Sequence, residues 1–230
     1  VLDATPRAVP RGVRAIALAL GALGVAGLGA AFAADAASGW SALLTGTVMV
    51  IGLAVVGPLI SAIFQITGAR WGRSYRRMAE AGVVLMPFGL AGMAALLAGG
   101  DAYLPWVHEH PHVGGKAVWL TRGFWDARVV GALLVTYGVA LRFVYLSLRK
   151  DFCVAQVRER FCGRLARWIA RGIDAPEAEA ARLERKMTNL APPLAILYGV
   201  LFSLLGFDLI MALEPDWFST LFGAWYFIGH

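Results

Sequence analysis

Asp208 is the residue in this sequence most able to do chemistry, because it lies inside the apolar run Leu205-Gly-Phe-Asp-Leu-Ile-Met-Ala212. A carboxyl group in such a run must be neutralised, paired or hydrated, at a cost of about 3 kcal/mol or more if none of these is met. Hydrated, it could take up and release a proton. Glu214 follows six residues later, about 9 Å farther along a continuous helix, and could pass that proton to solvent. The bland alternative is that Asp208 only accepts hydrogen bonds from a neighbouring helix, or pairs with an arginine in a part of the protein beyond this chain. Glu80, Asp126 and Arg128 stand at the ends of apolar runs, where a charge can simply sit at the interface. Gln65 and Tyr137 could bridge helices by hydrogen bonds or line a polar path with these acids. Arg142, inside the fourth apolar run, is long enough to snorkel toward one end.

The histidines and cysteines offer less. His108, His110 and His112 alternate with period two, so an extended loop would place three imidazoles on one side, a pattern suited to zinc or copper. Pro111 and the lack of a second ligand cluster favour a surface loop that meets partner subunits. Cys153 and Cys162 are nine residues apart, on opposite faces of any helix, and read as reduced thiols without a disulfide or CxxC knuckle. No histidine falls inside an apolar run, no CxxCH or iron–sulfur spacing occurs, and no P-loop or nucleophile–base motif is visible. The chain is expected to hold no haem, flavin or metal of its own.

The elements that must position these residues are membrane helices. The 230 residues are 59% hydrophobic and 16% charged, with a mean hydropathy of +0.65, against about 25% charged in ordinary soluble domains. A spanning helix needs about 20 apolar residues. Five runs qualify: 14–34, 40–68 around Pro58, 79–99 around Pro87, 129–148, and one beginning after Pro192-Pro193 and ending near Leu213, since proline suits a helix start. A sixth segment, Trp217–Ile228, is too short to span and runs to His230 without a polar exit, which predicts that the chain continues. The expected fold is an all-α integral membrane bundle of five complete spans and the start of a sixth. Val1–Val13 forms a tail with no signal peptide, and the first span is retained.

The excess of 21 Lys and Arg over 15 acids sits in short gaps between spans and reads as a topology signal, not as a nucleic-acid surface. The tail 1–13, the gap 69–78 and the stretch 149–188 are basic, whereas 35–39, the loop 100–125 and 214–216 are poor in Lys and Arg. This alternation predicts a cytoplasmic N-terminus. Within 149–188, Val154, Val157, Phe161, Leu165 and Trp168 share one helical face beside a ridge of Arg160, Arg164, Arg167 and Arg171, as in a helix lying flat on a lipid surface. Asp174 and Glu177 are spaced as a capping box for a polar helix that leads to the fifth span. Residues 189–230 then hold the fifth span and the start of the sixth. Glycines at 21, 24, 27 and 29, at 46, 52 and 57, and at 89 and 92 would let the first three spans approach closely.

The tail string Asp208-Leu-Ile-Met-Ala-Leu-Glu-Pro-Asp-Trp-Phe-Ser-Thr-Leu-Phe-Gly223 resembles the signature of the ActF membrane subunits of alternative complex III, a bacterial quinol:electron-acceptor oxidoreductase. The stretch Arg70-Trp-Gly-Arg-Ser-Tyr-Arg-Arg77 with Ala79-Glu80 is similar to that family's basic loop. The outer-loop set Lys116, Trp119, Leu120, Phe124, Trp125 and Arg128 fits it as well. The chain departs from the family at Asp216, where a His is expected, and at Ala212, where a Ser is expected. The family's chains are longer, so the resemblance covers an N-terminal half.

The resemblance implies an NrfD-like fold of paired four-helix membrane bundles in the bacterial inner membrane. It also implies a sister NrfD-like subunit carrying the principal quinol or menaquinol site, with haem c and iron–sulfur subunits on the outer side. This subunit would then be a scaffold without a redox centre, and a candidate proton conduit. Two further readings stay open: a quinol-binding NrfD-like anchor of a molybdopterin or polysulfide reductase, and a helical transporter or channel.

Overall fold

The computed structural model describes residues 9–69, 71–108, 118–154, 163–214, 221, 225–226 and 228–229. Five helical stretches are long and apolar enough to cross a membrane: Arg11–Ala34, Ala36–Thr67, Tyr75–Ala98, Arg122–Asp151 and Pro176–Leu213. The chain is an all-α, multi-span bundle, as its composition predicts.

Helix α1 (Arg11–Ala34) turns into α2 (Ala36–Thr67) through the single residue Asp35. Asp35 caps α2 by accepting from the Ser38 amide at 2.9 Å and the Ser38 hydroxyl at 2.5 Å, which satisfies donors that a helix start leaves orphaned. The Ser38 hydroxyl, and after it the amide, hold the Asp35 carboxyl below the usual carboxylate range. The cap explains why α2 begins four residues before Trp40.

The third span is composite. Helix α3 (Arg73–Glu80) passes through a 3₁₀ stretch, Ala81–Leu85, into α4 (Met86–Ala98). Pro87 has no N–H and its ring crowds the carbonyl four residues back, so the preceding turn tightens to 3₁₀ geometry. A short α5 (Gly100–Tyr103) and a 3₁₀ turn at Pro105–Val107 fold back over the bundle end, burying Leu104 and Trp106.

Helix α6 (Arg122–Asp151) starts well before Val129, because Trp125, Asp126 and Arg128 are helical although they are not hydropathic. The start of the fifth span is a correction. Pro192 and Pro193 lie inside α8 (Pro176–Leu209), which runs unbroken from the polar stretch into the membrane. The carbonyls that two prolines free are tolerated when packed neighbours hold both sides of the break. Here Met187, Ala191 and Leu194 are fully buried on either side of it. The capping box is also displaced: the residue flanking α8 is Ala175, which makes no side-chain cap, and Asp174 stands one position too early. Pro176 at the first position and Glu177 and Glu179 in the first turn start the helix instead, the acids favoured by its dipole.

The flat interfacial helix is only partly visible. Residues 155–162, with Val157, Arg160, Phe161 and Cys162, lie outside the described residues. What is described is the short α7 (Arg164–Ile169), with Leu165 and Trp168 exposed and Trp168 ring-packed against Tyr145 at 5.5 Å. Cys153 is buried, its Sγ 3.6 Å from the Arg149 carbonyl oxygen to which it donates.

Helix α2 is the hub, packing against α1, the third span, α6 and α8. Its contact with the third span is close because glycine permits it. A Cβ on Gly57 would collide with the Ala79 carbonyl, and one on Gly82 would come within 2.8 Å of the Leu53 carbonyl oxygen. The glycines of α1 differ: Gly21, Gly24, Gly27 and Gly29 face open space, and α1 buries none of its residues.

Candidate functional site

The up-and-down topology gathers the sequence's ionisable residues at two opposite ends of the bundle. Arg128 and Ser147 mark those ends on α6, separated by about 28 Å of helical rise, close to the hydrocarbon thickness of a bilayer at about 30 Å.

At one end Asp208 is buried, with 2% of its side chain exposed. Arg128 Nη2 donates to Oδ1 at 2.7 Å and Arg128 Nε to Oδ2 at 3.1 Å. Trp119 Nε1 donates to Oδ1 at 3.2 Å, and Trp125 Nε1 to the Asp208 backbone carbonyl at 2.8 Å. The Arg128 guanidinium lies over the Trp119 and Phe124 rings, 3.8 and 4.5 Å from their centroids, and its Nη1 donates to the Trp119 carbonyl at 2.9 Å. A forked, stacked guanidinium of this kind is the strong form of the ion pair. The expected arginine therefore comes from the fourth span of the same chain, not from beyond it. Arg128 is a partner in this site, not a free interfacial charge.

The expected route from Asp208 to Glu214 changes as well. Helix α8 ends at Leu209, and a 3₁₀ turn at Met211–Leu213 follows. Glu214 is exposed beyond that turn, so it does not continue the helical axis. Asp126 belongs to a separate staple. Arg122 Nε lies 3.1 and 3.2 Å from its two carboxylate oxygens, while Arg122 Nη1 reaches Asp101 at 3.2 Å and Nη2 bonds the Leu97 carbonyl. His108 Nε2 pairs with the Asp101 carbonyl oxygen at 2.8 Å. His110 and His112, needed for a three-imidazole site, lie outside the described residues.

At the other end Glu80 is buried, with 2% of its side chain exposed. Arg76 Nε donates to Oε1 at 2.9 Å, Ser147 Oγ donates to Oε1 at 2.8 Å, and Arg77 Nη1 bonds Oε2. Arg77 also reaches Asp151 through Nε at 2.7 Å and the Ser147 carbonyl through Nη2 at 2.7 Å. Glu80 and Arg77 together tie α3 to α6. Gln65 Nε2 donates to Glu184 Oε1 at 2.9 Å and Thr188 Oγ1 at 3.0 Å, tying α2 to α8. Lys150 bonds the second Glu184 oxygen. Arg149 pins the connection after α6 by donating to Glu179 at 3.0 Å and to the carbonyls of Ile169 and Arg171 at 2.9 and 3.1 Å.

Tyr137 lies between the two ends. Its hydroxyl is buried against Gly89 and has no hydrogen-bond partner among the described residues. The six residues anticipated as one polar path thus fall into two ion-paired ends, an exposed Glu214 and an isolated phenol. Arg142 is exposed, its guanidinium 5.5 Å from the Tyr145 ring centroid, as a snorkelling side chain would be.

Asp208 and Glu80 stand out in the sequence, whereas their arginine clamps do not. The signal for Arg128 was its place among Trp119, Phe124 and Trp125. For Arg76 it was the (i, i+4) spacing from Glu80. Compared with protein-family models and with curated proteins, the chain matches none.

Proposed function

We propose that this chain is a non-redox, membrane-embedded scaffold subunit of a respiratory quinol oxidoreductase of the alternative complex III type. One observation carries the reading. The resemblance rests on separate parts of the sequence, the Asp208 string and the set Trp119, Phe124, Trp125 and Arg128, and these meet in space around a single ion pair. Residues that share a family-like pattern for one structural purpose should converge in this way. In this reading the N-terminus is cytoplasmic, and the Asp208 end faces outward, beneath the haem c and iron–sulfur subunits. Quinol binds in a sister membrane subunit. The Asp208–Arg128 pair works as a lock that fixes α6 to α8 below the docking surface, with a proton-relay role secondary to it.

Purification of the assembled protein from its native membrane under mild detergent tests this. Co-migration with haem c and iron–sulfur polypeptides is the expected result. A solitary chain with transport activity, or one bound to a molybdopterin subunit, would replace the proposal with one of the two other readings.

A further inference from the structure

At the Glu80 end, residues of α2, α3, α6, α8 and the turn after α2 line a cleft of about 380 Å³. Gly68 closes α2 with a φ of 64°, and Gly72 lets the turn pack closely on the Phe64 ring, which a Cβ there would strike. Arg76, Lys150, Glu184 and Gln65 form the polar side. A guanidinium has five N–H donors. Arg76 uses Nε on Glu80 and Nη2 on the Met187 sulfur at 3.7 Å, and among the described residues Nη1 is unspent. Lys150 gives one donor to Glu184 and has two more.

Among the described residues the ion-paired charges around the cleft balance. Arg76, Arg77 and Lys150 face Glu80, Asp151 and Glu184. A purely anionic ligand would arrive with an uncompensated charge, whereas a ligand carrying both signs would meet a partner for each. The depth of the cleft narrows the choice further. Trp71 and Tyr75 are exposed at this end, and Trp71 packs edge-on against Phe64 at 5.0 Å. Exposed aromatics at a span end sit at the level of lipid headgroups.

We propose that the cleft seats the headgroup of a zwitterionic phospholipid with a primary ammonium. Its phosphodiester oxygens accept from Arg76 Nη1 and Lys150 Nζ, and its ammonium donates to the Glu184 carboxylate, which keeps free lone pairs beside Gln65 and Lys150. The site is independent of the oxidoreductase reading and requires only that this end of the bundle meets the membrane surface.

The detergent-purified protein, delipidated and titrated with phosphatidylethanolamine, phosphatidylcholine or phosphatidylglycerol in mixed micelles, with bound lipid counted by native mass spectrometry, tests the proposal. One phosphatidylethanolamine should bind at least about tenfold more tightly than either of the others, the value of one charge-assisted hydrogen bond. Glu184→Gln, which keeps shape, should abolish that preference, and Lys150→Met should weaken binding about tenfold. If Lys150→Met fails to fold, Glu184→Gln decides alone. Equal binding of all three lipids by the wild-type protein, or a preference that survives Glu184→Gln, would overturn the assignment. Inorganic phosphate displacing the lipid at comparable concentration would identify a free-anion site instead and overturn it equally.

Discussion

Arg128 grips both carboxylate oxygens of Asp208 from a position 80 residues earlier in the chain, at 2.7 and 3.1 Å. The pair joins the N-terminal end of α6 to the C-terminal end of α8; the Trp119 indole adds a third donor to the carboxylate, and the Trp125 indole bonds the Asp208 backbone carbonyl. A carboxylate with this many donors at fixed distances is held for geometry first.

That arrangement predicts a strongly coupled pair. Asp208→Asn leaves a guanidinium, 13% exposed, without its counter-charge and should cost about 3 kcal/mol. Arg128→Met should cost a similar amount, whereas the double variant Asp208→Asn/Arg128→Met should cost well under the sum of the two. Thermal unfolding of the four proteins in one detergent gives the cycle. Additive losses would show that the pair does not act as a unit. If Asp208→Asn assembles, turns over normally and translocates protons normally, Asp208 is no relay.

Glu80 should behave differently from a surface acid. It neutralises two arginines and accepts from Ser147, so Glu80→Gln should destabilise by about 3 kcal/mol, while Asp151→Asn, at 43% side-chain exposure, should cost under about 1 kcal/mol. Denaturation midpoints measured side by side would check the ranking, and equal effects would contradict it.

Glycine substitutions should separate close packing from mere frequency. Gly57→Ala drives a methyl into the Ala79 carbonyl and should cost about 1–3 kcal/mol or more, as overpacking does. Gly24→Ala, in open space, should be neutral or slightly stabilising, since alanine favours helix. Matching midpoints for the two variants would refute the account of the interface between α2 and the third span.

The Asp35 cap carries a pH signature. Because its carboxyl is held below the usual range by Ser38, the folded state binds its proton more weakly than the unfolded chain. The cap's contribution is therefore present above the ordinary carboxylate pKa of about 4 and fades as pH falls through the lower folded value. Hydrogen exchange at the Ser38 amide, which the cap holds, should accelerate relative to mid-helix amides in acid. In Asp35→Ala it should be fast at every pH.

Much of the fold was legible because hydropathy reads the middle of a span well. Its ends were less legible, since helices continue past the last apolar residue wherever caps and ion pairs hold them, as at Asp35, Trp125 and Arg128. The break expected at Pro192 failed for a related reason: burial of Met187, Ala191 and Leu194 outweighs the two missing amide donors. At the site, single acids stood out against apolar surroundings, but their partners lie on other helices, 67 residues away for Ser147 and Glu80 and 80 for Arg128 and Asp208. Spacing along one chain carries no such information. Only the nearby pairs, such as Arg76 with Glu80, could have been read directly.

The two ion-paired ends, about 28 Å apart on α6, also work as a ruler. Loosely packed helices adapt to a thicker or thinner bilayer by tilting or sliding past one another. Here α3, α6 and α8 are stapled at one level by Glu80, Arg77, Arg149 and Glu179, and α6 and α8 again at the other by Asp208 and Arg128. Such a frame resists internal shear, so mismatch with the surrounding lipid must be absorbed by the bilayer or by α1, which among the described residues packs chiefly along α2. The protein should accordingly select the membrane thickness in which it resides.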